Sequence, residues 1–230
     1  NFSMAELGVL GTTLYITYGI SKFFSGILSD VSNPRYFMSL GLILTGICNI
    51  LFGLSASLYA FILIWGLNGI FQGSGWPPCT KQLTYWFSQK ERGIWWSLKS
   101  TSHNLGGALI PIIVAVVAAY SNWRWAMVVP GVISILCGLW LMNRLRDVPQ
   151  SLGLPPVEAY KDVEKAPSST STAPQLSVRQ IVLQEVLKNK SVWILALSYF
   201  FVYVVRTAVN DWGVVYLVKY KHYSMLSAAS

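Results

Sequence analysis

"LYAFILIWGLNGIFQGSGWPPCTKQLTYWF", Leu58 to Phe87, is a long apolar run broken by two adjacent prolines, Pro77 and Pro78. In water a helix would end there, because each proline removes a backbone donor and crowds the carbonyl one turn earlier. In hydrocarbon the chain cannot leave its backbone unpaired. Helices tolerate proline there when neighbours or water satisfy the freed carbonyls, here those of Gly73 and Ser74. The stretch therefore predicts one long membrane span, kinked by Pro77 and Pro78 beside Gln72 and Trp76, with glycines that permit close contact or bending.

Composition supports a bilayer as the solvent. Hydrophobic residues make up 53% of the chain and charged residues 11%, against roughly 25% charged in soluble domains, and the mean hydropathy is +0.49. Crossing a hydrocarbon core takes roughly 20 apolar residues. Six such segments follow one another: Leu7 to Leu28, Tyr36 to Leu54, Leu58 to Phe87, Ile94 to Ala119, Trp125 to Met142 and Val192 to Val218. A water-soluble bundle would show polar outer faces on its helices, and these segments lack them. The chain reads as an all-α integral membrane protein.

Topology follows from the loops. Residues 143–190 form a long polar segment carrying Arg144, Arg146, Lys161, Lys165, Arg179, Lys188 and Lys190, and the shorter loops at Ser29–Arg35 and Ser88–Gly93 add Arg35, Lys90 and Arg92. The alternate loops, Ser55–Ser57 and Tyr120–Arg124, hold a single charge, Arg124. The positive-inside rule makes the basic loops cytoplasmic, so much of the net charge of +8 reflects topology and calls for no nucleic acid. Asn1 then lies on the outer side, and an earlier helix is expected before it. The sequence divides into residues 1–142, five spans; 143–190, a cytoplasmic loop with a flexible "APSSTSTAP" connector at Ala166–Pro174; and 191–230, one further span.

Several function classes lack their equipment. Cys48, Cys79 and Cys137 lie in apolar spans without metal-ligand or redox spacing. No phosphate-binding glycine loop, HExxH or GxSxG occurs. An ATP-driven pump, a membrane protease or any other enzyme is not expected, nor is a metal or organic cofactor.

Ionisable residues at membrane depth are costly and belong in a protein interior or an aqueous cavity. Lys22, Lys99, His103, Arg206 and Asp211 fall inside spans. Cations outnumber the single carboxylate, and such a cavity attracts an anion. Helical spacing groups them: Gly11, Tyr15, Tyr18, Lys22 and Ser25 share one face, Lys99, His103 and Gly107 another beside Ser100 and Asn104, and Tyr199, Tyr203, Arg206 and Asn210 a third. Asn68, Gln72 and Trp76 offer a fourth. Four polar faces suit one shared cavity.

At this point a family resemblance emerges. "GILSDVSNPR", Gly26 to Arg35, resembles the loop signature of the major facilitator superfamily, with Gly26, Asp30 and Arg35 in place and Val31 departing from the usual basic residue. "FQGSGWPPCTKQLTYWFSQKERG", "STSHNLGGALIPI" and "YVVRTAVNDWG" resemble the organophosphate:inorganic phosphate antiporters, closest to the bacterial hexose-phosphate transporter and sensor branch. The resemblance implies a bundle of twelve helices in two halves, with this chain an incomplete portion holding helices two to seven.

It further implies that Arg206 matches the helix-seven cation that clasps the substrate phosphate, its helix-one partner falling before Asn1. Lys22 and His103 match further charged cavity positions, and Tyr18, Gln72, Trp76, Asn104, Tyr203 and Asp211 fall at cavity or gating positions. Lys99 departs from the tryptophan usual at its place. The expected partners are a phosphorylated sugar, inorganic phosphate and the bilayer of a bacterial inner membrane. The expected activity is antiport of hexose phosphate, with glucose 6-phosphate foremost, against inorganic phosphate by alternating access. A sensor of external hexose phosphate that signals to a membrane kinase is the second expectation.

Overall fold

The computed structural model describes residues 3–160 and 187–221, without the side chains of residues 4, 5, 158, 210–212, 214 and 215. The chain divides into two units, Asn1–Glu164 and Lys165–Ser230. In the first, α1 (Met4–Val31), α2 (Pro34–Leu54), α3 (Leu58–Gln72), α4 (Trp76–Trp86), α5 (Arg92–Tyr120) and α6 (Trp123–Arg144) lead to a 3-10 turn at Pro149–Leu152 and a short α7 (Val157–Tyr160). The second holds α8 (Lys190–Lys221). The Ala166–Pro174 connector lies outside the described residues.

The helix starts follow from local chemistry. Ser3 and Glu6 form a reciprocal capping box ahead of α1, Asn33 caps α2 with Pro34 in its first turn, and Asn122 accepts from the amides of Arg124 and Trp125 at the start of α6. The helix ends are less local. Neither α1 nor α2 has a basic residue in its last turn, and cations from elsewhere reach their free carbonyls. Lys81 Nζ donates to Ser29, Asp30 and Ser32 at the end of α1 at 2.8, 2.8 and 3.2 Å. Arg124 donates to Gly53 and Ser55 at the end of α2, both at 2.7 Å. Arg35 donates through Nε to Met142 near the end of α6, and Arg92 reaches Thr84 and Phe87 at the end of α4. A cation at a helix C-terminus complements the macrodipole.

Apolar side chains face outward and small polar ones inward. Ile20, Phe23, Leu63, Ile94 and Leu136 are exposed, whereas Ser21, Ser25, Ser29, Ser39, Thr45 and Asn68 are buried. A bilayer accepts Leu and Ile at no cost, so close packing between helices depends on small residues. Along the α2–α6 seam these recur at seven-residue intervals. A Cβ on Gly53 would stand 2.8 Å from the Arg124 carbonyl, one on Gly131 2.8 Å from the Gly46 carbonyl, and one on Gly138 3.1 Å from the Ser39 carbonyl. The two helices run antiparallel with their backbones nearly touching. An apolar cluster of Leu10, Phe52 and Phe61, flanked by Trp65 and Met127, lies at the Gly53 end of that seam.

One expectation needs correction. The span from Leu58 to Phe87 is two helices, with a break at Gly73–Gly75. Gly73 lies so close to α1 that a Cβ would stand 2.2 Å from Ser21 Oγ. Ser74 and Gly75 turn back to the carbonyls of Phe71 and Gln72, and Pro77 and Pro78 open α4. A proline is pre-organised for the first helical turn, where its missing donor costs nothing. The prolines therefore start a helix and do not kink one. Among the described residues, four helices are by themselves long and apolar enough to cross a membrane: Pro34–Leu54, Arg92–Tyr120, Trp123–Arg144 and Lys190–Val209. The break at Gly73–Gly75 shortens α3 and α4, and the threonines, serines and tyrosines of α1 lower its hydropathy.

Candidate functional site

The best-defined constellation is the wall between α4 and α5. Trp76 opens α4 just past the glycine break, so its indole projects where that backbone turns. Lys99, in the second turn of α5, places Nζ 3.8 Å from the centroid of the Trp76 ring and 4.4 Å from that of Trp96. The two indoles, 6.2 Å apart, hold the ammonium between them. His103, one turn further along α5, meets Trp76 edge-on at 6.1 Å. Lys99, Trp76 and His103 thus form one aromatic and cationic ridge. Asn104 follows His103 on the exposed side of α5.

Two other cations are set on aromatic rings of their own helices. Lys22 Nζ lies 4.6 Å above the Tyr18 ring in α1. In α8, described by itself, the Arg206 guanidinium lies 5.9 Å from the Tyr203 ring and is exposed. A ring face attracts a cation but leaves its N–H donors for oxygen acceptors. Ser25, grouped by spacing with Lys22, instead faces inward with Ser21, their hydroxyls 3.5 Å apart.

Gln72 ends a chain of amides that runs through the buried Asn68: its Nε2 donates to Asn68 Oδ1, and Asn68 Nδ2 donates to Asn49 Oδ1 at 2.7 Å. Its amide nitrogen is therefore engaged in the bundle. The side chain of Asp211 lies outside the described residues. In the loop motif, Gly26 has open space where a Cβ would stand. Asp30 receives Lys81 at its backbone carbonyl, and Arg35 reaches α6. Pro78 is fully buried.

Sequence reasoning missed Lys81, Arg124, Asn49 and Trp96. Lys81 and Arg124 carried a signal, being basic residues opposite helix ends that have no cation of their own. Asn49 showed none, as a lone amide in an apolar span. Asn33 Nδ2 donates to Asp147 Oδ2 at 3.1 Å, tying the α1–α2 turn to the segment after α6. Burial raises the Asp147 pKa, but the Ser151 hydroxyl, backbone amides and the charge of Arg35 outweigh it and leave the carboxyl below its ordinary value.

Comparison with known proteins agrees with this architecture. The chain is 55% identical over 236 residues to a "Probable hexose phosphate transport protein" of Chlamydia trachomatis, covering 99% of this chain and 52% of the relative. It is 50% identical to the "Membrane sensor protein UhpC" of Escherichia coli K12, covering 94% and 49%, and 38% identical to a "Glycerol-3-phosphate transporter" of Bacillus subtilis, covering 97% and 51%. The chain thus spans about half the length of the curated relatives it matches. Its fold resembles a solved bacterial homologue of the human lysosomal transporter Spinster, in an inward-facing, unoccupied conformation. The TM-score is 0.73 at 19% identity, covering 99% of this chain and 50% of the other. The family model of the Major Facilitator Superfamily matches residues 1–230 in full, and the chain, a multi-pass helical membrane protein, belongs to that superfamily.

Proposed function

We propose that the complete protein to which this chain belongs moves a hexose phosphate, foremost glucose 6-phosphate, across the bacterial inner membrane in exchange for inorganic phosphate. The observation that carries this reading is the set of membrane-depth cations Lys22 and Arg206, each placed on an aromatic ring. A phosphate monoester brings nearly two negative charges and several acceptor oxygens, which charge-assisted donors in a low-dielectric cavity match. Relatives named for hexose-phosphate, glycerol-phosphate and phosphoglycerate transport support the substrate class.

Lys22, His103 and Arg206 are the phosphate ligands in this reading, with Arg206 dominant. Tyr18, Tyr203, Asn104 and Asp211 line the cavity or its gates, and Gln72 steadies the wall. Trp76 presents its free side to the sugar, because Lys99 occupies one face. Without substrate the cations repel closure; a bound phosphate neutralises them and lets the two halves rock about the site. No bond is made or broken, so the protein is a carrier and not an enzyme. The residue 143–190 loop is cytoplasmic, and residue 1 lies outside.

A second reading, a sensor of external hexose phosphate acting on a membrane kinase, is favoured by the similarity to the UhpC sensor. Counterflow on the complete purified protein with a panel of phosphate esters tests both. Accelerated exchange of hexose phosphates over glycerol phosphate supports transport. Saturable binding without exchange supports the sensor.

A further inference from the structure

A cavity of about 690 Å³ opens between α4, α5 and the segment that follows α6, at the end of the bundle carrying the α4–α5 turn. Its apolar walls include Leu83, Trp86 and Leu98; Lys99, Arg144 and Arg146 also line it, and among the described residues no acidic side chain does. Two of its donors are stranded. Among the described residues, Lys99 Nζ and Gln82 Nε2 are both buried and meet no oxygen or nitrogen acceptor. The polar neighbour of Lys99 is the Cys79 thiol, a weak acceptor.

Buried donors are nearly always satisfied, and a buried ammonium without an anion is costly. The indoles of Trp76 and Trp96 offset part of that cost through their ring faces, but they accept none of the three N–H bonds. Arg146 is already engaged with the carbonyls of Asn143 and Leu145, whereas Arg144 is exposed at the mouth. Donors of two kinds without an oxygen acceptor, both lining one apolar pocket, match a group with several acceptor oxygens attached to an apolar body.

We propose that this cavity binds a phosphate ester, its phosphate oxygens held by Lys99 Nζ and Gln82 Nε2 and its body against Leu83, Leu98 and Trp86. The site adjoins the one in the transport reading, because Lys99 belongs to the ridge of Trp76 and His103, but it uses neither Lys22 nor Arg206. The ester is either the headgroup of an anionic lipid or a soluble phosphate ester.

Cys79 lines the cavity and reports its occupancy. The complete protein, with Cys48 and Cys137 replaced by Ser, is modified with methyl methanethiosulfonate under three conditions. These are dodecyl maltoside micelles without phosphate, the same micelles with inorganic phosphate, and the same micelles with added phosphatidylglycerol but no inorganic phosphate. Modification of Cys79 slows in one of the two anionic arms, by about tenfold at about ten times the dissociation constant. Slowing by inorganic phosphate identifies a soluble ester; slowing by phosphatidylglycerol identifies a lipid. Lys99→Met and Gln82→Leu each abolish the slowing and Lys99→Arg retains it, so the result survives the loss of any one variant to misfolding. Slowing that persists in Arg206→Ala keeps this site distinct from the transport site, whatever that variant does to exchange. No slowing in either arm, slowing unchanged in both Lys99→Met and Gln82→Leu, or slowing lost in Arg206→Ala overturns the proposal.

Discussion

Lys81 Nζ stands 2.8 Å from the backbone carbonyl of Asp30, so an ammonium from α4 closes the end of α1 at the aspartate of the loop motif. The same nitrogen reaches Ser29 and Ser32, and no other basic residue serves that helix end from its own last turn. Hydrogen bonds to a charged group are worth about 1.5–3 kcal/mol. Lys81→Met is expected to lower the stability of the purified protein by about that amount, read as a fall in thermal midpoint, with Lys81→Arg recovering part. An unchanged midpoint in Lys81→Met would remove the clasp from the account.

Gly66 and Gly69 both face α1 but differ in what a methyl would meet. On Gly66 it stands 3.3 Å from the Thr13 methyl, which can give way. On Gly69 it stands 2.2 Å from Thr17 Oγ1 and 2.8 Å from the Leu14 carbonyl, which is backbone. Gly69→Ala is expected to cost about 1–3 kcal/mol through overpacking. Gly66→Ala is expected to be neutral, since the helix-propensity gain of up to about 1 kcal/mol offsets a small adjustment. Equal melting behaviour of the two variants would contradict the α1–α3 packing described above.

Asn68 is fully buried and joins Gln72 to Asn49. Asn68→Leu strands both partners and is expected to destabilise by about 1–3 kcal/mol. The double variant Asn49→Leu/Asn68→Leu should lose less than the sum of the single variants, because it removes a donor and its acceptor together. Strict additivity in chemical denaturation would show that the amides do not interact.

Asp147 has a folded-state pKa below its ordinary 3.8. A depressed carboxylate stabilises the fold fully above its unfolded pKa, and that contribution fades as pH falls below 3.8 through the folded value. Stability should therefore decline on the acid side of that point in the wild type, and less steeply in Asp147→Asn. Identical acid limbs for the two proteins would sink the assignment.

The membrane class and most helices were legible because apolar length and polar striping are local properties. Pro34 after Asn33, and Asn122 before Trp123, likewise mark helix starts openly. The glycine break was not legible, because Gly73 matters through Ser21, far away in sequence; with α1 out of sight, the prolines read as a kink. The heptad-spaced Ser39, Gly46 and Gly53 opposite Arg124, Gly131 and Gly138 were visible as a pattern, but only their partner gave the pattern meaning. At the site, spacing put Lys99 and His103 on one face, and the structure shows Trp76 joining them. That Lys99 sits between two indoles depends on Trp96, an interfacial tryptophan by sequence alone.

The proposal that the complete protein exchanges phosphorylated sugar for phosphate through its membrane-depth cations has a direct test. The complete protein is reconstituted in phosphate-loaded vesicles and uptake of labelled glucose 6-phosphate is followed, with Arg206→Ala of equal membrane insertion in parallel. The account predicts saturable uptake that requires internal phosphate and disappears in Arg206→Ala. Uptake that proceeds equally without internal phosphate, or at wild-type rate in Arg206→Ala, would contradict it.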